Sequence, residues 1–303
     1  MPLSPTGYRL TGIALAVGGV AMFAFRPILV KLAYGYVRDP VTLLALRMVF
    51  SLPFFLVAAA WSARGRIHAP ATRGDLATVA GLGFLGYYFS SYLDFLGLQY
   101  VTAGIGRLIL FVYPTIVVML SSMFLRRRPA PRELAALAIT YCGVALVLSS
   151  SVSGQNENLP LGASLVFVSA LAYAGYLVAS SQVVQRLGSI RFTAYAMTVA
   201  SLLCIAQFLV LRPLSALELP AQVYVLAIAM AVFSTVLPVF MTSEALKRIG
   251  ANHVAMIGAL GPVTTIFFGF VGLDEFMTLL QVFGAALVLA GVLLVSLKPA
   301  RMA

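Results

Sequence analysis

Gly143-Val-Ala-Leu-Val147, in the middle of the chain, returns almost unchanged as Gly291-Val-Leu-Leu-Val295 near its end, a shift of 148 residues. Working outward with the same shift and no gap, Ala245-Leu246 falls on Gly97-Leu98, Ala251 on Ala103 and Pro262 on Pro114. Self-similarity at a fixed spacing marks a structural unit present twice. The matched prolines and glycines set it apart from chance register between Leu- and Ala-rich segments. It divides the chain into residues 1–152 and 153–303.

Composition says what the unit is. Of 303 residues 61% are apolar and only 10% charged, with a mean hydropathy of +1.01. A soluble domain needs about a quarter of its residues charged to cover its surface. Lipid must therefore face much of this exterior. Apolar runs long enough to cross a bilayer lie near 10–32, 41–60, 76–98, 101–124 and 134–150. After the polar stretch Ser151–Asn158 come 160–184, 191–211, 221–243, 251–272 and 276–297. The predicted fold is an all-α integral membrane protein with ten transmembrane helices. Five runs per copy is an odd number, so the second copy enters the membrane from the opposite side. The expected arrangement is two inverted five-helix repeats, a plan common in secondary transporters.

Net charge is +11, but the basic residues sit in short loops rather than in a nucleic-acid footprint. With the N-terminus cytoplasmic, the inner segments hold fourteen Lys and Arg, against Arg38 and Arg212 outside. That asymmetry predicts cytoplasmic N- and C-termini in a cell inner membrane. The first run is long and lacks a small-residue cleavage site, so it reads as a span rather than a signal peptide. Cys142 and Cys204 lie in apolar runs, and His68 and His253 in or beside charged loops. No metal, cofactor or disulfide framework is expected. The partners to expect are a small-molecule substrate and membrane lipid, with no nucleic acid.

The second half reads Ala245-Leu-Lys-Arg-Ile-Gly-Ala-Asn252, then Pro262, then Gly272-Leu-Asp-Glu275, then Gln281-Val-Phe-Gly-Ala-Ala-Leu-Val-Leu-Ala-Gly-Val-Leu-Leu294. With Lys31, Leu46-Arg47, Pro114 and Gly143 in the first half, it resembles the EamA-like branch of the drug/metabolite transporter superfamily across essentially the whole chain. The first half departs from the pattern, carrying Arg126-Arg127-Arg128 where a Gly-Glu pair is usual. The resemblance implies export of amino acids and other metabolites. Within the branch the chain is most similar to bacterial exporters of aromatic and neutral amino acids.

An ionisable group inside the hydrocarbon is a functional hypothesis by default. Here these groups are Arg26, Lys31, Arg47, Asp94 and Arg107. Asp94 and Arg107 stand almost equally far from the turn near Tyr100, so neighbouring antiparallel spans would pair them, as a staple or a coupling pair. Lys31 can snorkel to the headgroups, and Arg47 packs in the interior. Arg26 precedes Pro27, which distorts the helix. It is a candidate for a substrate carboxylate, or else pairs with Asp39 or backbone carbonyls. The surplus of positive charge favours a substrate bearing a carboxylate or phosphate.

Phe84, Tyr88, Tyr92 and Phe95 share a face of span three at helical spacing. Tyr88, Tyr92, Tyr113, Tyr173 and Tyr176 are candidates to line a cavity whose rings hold an apolar side chain. The alternative for each is packing between helices. Pro114, Pro238 and Pro262 interrupt spans four, eight and nine and are candidate gates. Gly81, Gly83, Gly86, Gly104 and Gly106 predict a close approach of spans three and four.

An intramembrane enzyme would need a reactive constellation, yet Asp94 has no partner acid and no HExxH occurs. No enzyme is expected. A channel rests on oligomeric symmetry, whereas an internal repeat predicts a pathway within one monomer. Export of other organic anions or phosphorylated metabolites is the second reading. Against it, no basic residue lies between Ala255 and Ser296.

Overall fold

Lipid supplies no hydrogen bonds, so a chain crossing it satisfies its backbone internally, and helices do this with local bonds alone. The computed structural model describes residues 5–64, 72–124, 131–152, 158–258 and 260–296. Among them every regular element is helical. The first half holds α1 (Pro5–Ala24), α2 (Arg26–Tyr34), α3 (Pro40–Arg64), α4 (Arg73–Gly83), a π-helical stretch (Phe84–Phe89) and α5 (Ser90–Gly97). It continues with α6 (Ala103–Leu110), α7 (Tyr113–Phe124) and α8 (Pro131–Val152). The second half has α9 (Leu159–Leu187), α10 (Ser189–Leu211), a short 3-10 turn (Leu214–Leu217) and α11 (Ala221–Ala231). A second π stretch (Val232–Val236) leads into α12 (Leu237–Gly258), α13 (Leu260–Leu273) and α14 (Leu279–Ser296). The Arg126-Arg127-Arg128 departure and His68 lie outside the described residues.

Local chemistry sets the breaks. Thr72 and Asp75 form a capping box at the start of α4, and the Thr102 hydroxyl accepts from the Ile105 amide to open α6. Gly188 alone separates α9 from α10, with φ of 80°, a left-handed backbone that favours glycine. The π stretch Phe84–Phe89 stacks Phe84 on Phe89, five residues apart, with ring centroids 6.0 Å apart.

Seven helical stretches among the described residues are long and apolar enough to cross a membrane: Gly7–Tyr34, Pro40–Ser62, Ala103–Leu120, Pro131–Ser149, Leu159–Ser180, Ile190–Leu211 and Ala221–Thr242. The expected runs 76–98, 251–272 and 276–297 appear as the interrupted α4–α5 and the shorter apolar helices α13 and α14. The turn expected between 243 and 251 is replaced by continuous helix from Leu237 to Gly258. Glu244-Ala-Leu-Lys-Arg-Ile249 are mostly strong helix formers, reinforced by an Arg248–Glu244 pair at 3.0 Å one turn apart. One glycine costs about 1 kcal/mol in a helix, too little at Gly250 to end it.

Helix bounds recur along the chain. Arg73–Gly83 shifted by 148 residues lands on Ala221–Ala231, and the π stretch from Phe84 lands on the one from Val232. Such counterparts pack antiparallel. In α8 and α14, a Cβ on Gly143 would lie 2.6 Å from the Gly284 carbonyl oxygen, and one on Gly291 would lie 2.8 Å from that of Ala136. In α3 and α10, Asp39 meets Arg212 while Met48 meets Ser201. The other large interfaces, α5 on α9 and α1 on α12, are also antiparallel. Gly97 abuts Gly162 while Ser90 and Ser169 bond each other, and Gly12 abuts Ile249 while Gly19 abuts Thr242. Each of these two interfaces is the counterpart of the other under the 148-residue shift. Of the glycines expected to join spans three and four, Gly106 packs against Leu98 at the end of span three, while Gly83 faces Ala196 of α10 and Gly86 lies under the Tyr176 ring of α9.

Two outcomes are expected. Gly143→Leu puts a side chain into backbone and lowers stability by about 1–3 kcal/mol, read as a fall in melting temperature of the detergent-purified protein. At the start of α3, burial pushes the Asp39 carboxyl up, but hydrogen bonds from Arg212 and Thr42 outweigh it and hold it below its ordinary value. Stability from this group is therefore present above about pH 4, the unfolded value, and lost as pH falls through the lower folded one. Asp39→Asn should flatten the acid limb of the melting-temperature profile.

Candidate functional site

The kink between α1 and α2 places Arg26 just inside α2, directed at α5. Its Nη2 donates to the Asp94 Oδ2 at 2.6 Å, with the Asp94 side chain 4% exposed. The sequence reading pairs Asp94 with Arg107; the carboxylate instead belongs to Arg26. The reason is the kink: equal distance from the Tyr100 turn sets depth, but the break at Phe25 starts α2 with Arg26, which reaches Asp94. Arg26 is likewise not paired with Asp39, which Arg212 takes at 2.9 Å.

Two further guanidiniums stand near this pair. Arg47 of α3 is 2% exposed and lies over the Phe95 ring at 5.0 Å, with no hydrogen-bond partner on Nε. Arg107 of α6 also has an unpartnered Nε and forms no ion pair among the described residues. Arg26 is close enough to both for direct charge–charge interaction, as is Asp94. Three cations thus share one anion in the interior, where unpaired charge is expensive.

The candidate tyrosines fall into two groups. Tyr113 of α7 meets Tyr173 of α9 edge-on at 5.2 Å, and Tyr173 stacks on Tyr176 at 5.6 Å. The Tyr176 hydroxyl donates to that of Tyr87 at 3.0 Å. Arg107 lies within charge-interaction range of Tyr113 and Tyr173. Tyr88 and Tyr92 lie apart from it: Tyr88 stacks near Phe84 at 5.4 Å, and Tyr92 packs against the Val41, Ala45 and Phe208 cluster of α3 and α10. The single face expected for Phe84, Tyr88, Tyr92 and Phe95 assumes 3.6 residues per turn, and the π stretch breaks that register. It turns Tyr87 toward α9 instead.

The prolines coincide with helix irregularities. Pro114 follows the break at Phe111–Val112 between α6 and α7. Pro238 follows the second π stretch, where the Ser234 and Thr235 hydroxyls both donate to the Met230 carbonyl. Pro262 is buried at the start of α13, and Thr265 one turn on donates to the Ala24 carbonyl beside the α1–α2 kink. Hydroxyls thus bond backbone carbonyls near two of these irregularities.

Sequence reasoning missed two contacts. The Tyr34 hydroxyl donates to the Phe95 carbonyl at 2.6 Å. The Glu275 carboxylate accepts from the Ala103 amide at 2.9 Å, capping α6 from the far half of the chain near Lys31. Its position in Gly272-Leu-Asp-Glu275 signals importance, but no local pattern reveals a cap supplied from 172 residues away.

A thermal-stability double-mutant cycle tests the pairing. Arg26→Gln or Asp94→Asn alone strands a buried charge and should cost about 3–5 kcal/mol. The double variant should recover much of that, giving stronger coupling than the same cycle run on Arg107 and Asp94.

The EamA-like transporter family matches residues 10–149 and again residues 160–297. "Uncharacterized transporter YcbK" of Bacillus subtilis (strain 168) is 31% identical over 272 residues, covering 88% of this chain and 86% of that protein. "Uncharacterized transporter sll1319" of Synechocystis sp. is 24% identical over 302 residues, covering 92% and 91%. A solved crystal structure 15% identical in sequence superposes with a TM-score of 0.64 over 99% of this chain and all of its own, a likeness of fold. With both halves matched and helices apolar enough to span a bilayer, this chain belongs to the EamA-like transporter family of the drug/metabolite transporter superfamily, and it is a multi-pass membrane transporter.

Proposed function

We propose that the protein exports amino acids, aromatic and other neutral ones, across the cell inner membrane by alternating access between two inverted halves. The halves are residues 1–152 and 153–303, of five spans each, with both termini cytoplasmic. One monomer holds the whole pathway, and transport is facilitated diffusion or weakly proton-coupled through Asp94, the sole acid at membrane depth. The observation that carries the reading is the association of the unpaired Arg107 guanidinium with a tyrosine group drawn from both halves. Such a site suits a solute with a carboxylate at one end and an apolar body at the other. The antiparallel packing of recurring helices supports the inverted plan, because it sets the two-fold across the helices rather than along them. Pro114, Pro238 and Pro262 give the halves places to bend, and they serve as gates. Tyr88 and Tyr92 flank the site from the α3 and α10 side.

A second reading, export of small organic anions or phosphorylated metabolites, is favoured by one fact. Three arginines face one aspartate, an excess larger than a zwitterion needs.

Uptake of labelled solutes into liposomes holding the purified protein distinguishes the two. Saturable entry of phenylalanine, tyrosine or leucine is the expected result, with Tyr173→Ala and Tyr88→Ala slowing it while remaining folded. Entry confined to dicarboxylates or sugar phosphates would replace the first reading with the second. An imposed pH gradient is expected to leave the final accumulation ratio nearly unchanged; a ratio that follows the gradient would contradict uncoupled transport.

A further inference from the structure

The three interior guanidiniums are not equivalent, and their differences assign a ligand. Arg26 is engaged with Asp94. Arg47 is sealed in, 2% exposed, with the Phe95 ring against its face. Arg107 is only half-buried, has no ion pair or hydrogen bond among the described residues, and leaves its Nε without a partner. Of the three, it alone combines a free charge with room to be reached.

Its position is also distinctive. Arg107 sits on α6 of the first half, and its Nη2 lies against Gly261 at the start of α13 in the second. A Cβ at that glycine would come within 3.0 Å of Nη2, so the glycine makes the room that the guanidinium itself occupies. Tyr113 and Tyr173, within charge-interaction range of Arg107, meet at an interplanar angle of 84° and form a corner of two ring faces. Neither hydroxyl makes a hydrogen bond among the described residues. An unpaired cation and an aromatic pair thus meet where the first and second halves pack, the place a transported solute must be held.

We infer that Arg107 is the specificity-determining anchor for a carboxylate on the transported solute, with the solute's apolar body lodged against Tyr113 and Tyr173. This rests on the reading of the protein as an amino-acid exporter and names the group that reads the substrate. The planar guanidinium offers paired donors that match the two oxygens of a carboxylate. In a low-dielectric interior the arriving anion supplies the counter-charge that Asp94, committed to Arg26, does not. The Arg26–Asp94 pair then positions α2 against α5 and is not itself the receptor.

The test is isothermal titration of the purified full chain in detergent micelles. The probes are phenylalanine, phenylalaninamide, phenylacetate, phenylacetamide and glycerol 3-phosphate. The wild type should bind each carboxylate at least about 10-fold tighter than its amide, the scale of one charge-assisted hydrogen bond. Arg107→Gln should abolish that ratio, Arg107→Lys should retain part of it, and Arg47→Gln should leave it unchanged. Gly261→Ala, which crowds the guanidinium without removing it, should weaken carboxylate binding more than amide binding. It keeps the test open if Arg107→Gln fails to fold. No carboxylate preference in the wild type, or no binding of any probe, overturns the inference. So does a preference that survives both Arg107→Gln and Gly261→Ala, while phenylalanine binding would leave the exporter reading standing. Binding of glycerol 3-phosphate alone, lost in Arg107→Gln, would keep the anchor and remove the amino-acid reading.

Discussion

The ion pair between Arg26 and Asp94 constrains everything around it. A charge at membrane depth is costly unless paired, and this protein holds three arginines near a single aspartate. The pair at 2.6 Å uses up that aspartate. It also requires the α1–α2 kink, since only the short second segment brings Arg26 to α5. The kink in turn opens the Ala24 carbonyl that Thr265 of the second half satisfies. One electrostatic contact thus fixes a helix break, a contact between halves and the surplus positive charge at the site.

The surrounding bundle withstands this because its own packing is close and repetitive. Glycines let backbones approach at α8–α14, α5–α9 and α1–α12, contacts on which membrane helices depend in the absence of a hydrophobic drive between them. The helix bounds recur with the repeat, but the charges do not. Arg26, Arg47, Asp94 and Arg107 all belong to the first half, and their counterparts 148 residues on are Ala174, Tyr195, Thr242 and Ala255. The second half instead supplies Tyr173, Tyr176 and the space at Gly261. In the proposed site, charge thus comes from the first copy, and aromatic rings come from both.

The scaffold was largely legible in the sequence, and the contacts at the site were legible only in part. Apolar runs and the 148-residue shift announce helices and their recurrence because both are properties of one-dimensional order. Depth, a second quantity that residue counting yields, groups Tyr88, Tyr92, Tyr113, Tyr173 and Tyr176, of which the fold brings together only the last three. Azimuth was the weak point. The partner of Asp94 was misread because a kink decides which helix faces it, and the tyrosines of span three were scattered by a π stretch that no residue pattern there announces. The turn expected between 243 and 251 is missing for a local reason: helix formers around Gly250 outweigh the glycine, and α12 runs on to Gly258. The Glu275 cap on α6 escapes sequence reading because its two ends are joined only in three dimensions.

The most direct measurement is a structure of the full chain in lipid nanodiscs, by electron cryo-microscopy, with phenylalanine bound. The account predicts the carboxylate within hydrogen-bond distance of the Arg107 guanidinium, the phenyl ring against Tyr113 and Tyr173, and the Arg26–Asp94 pair intact. A ligand lodged beside Tyr88 and Tyr92 against α10, or one whose carboxylate displaces Asp94 from Arg26, would contradict it.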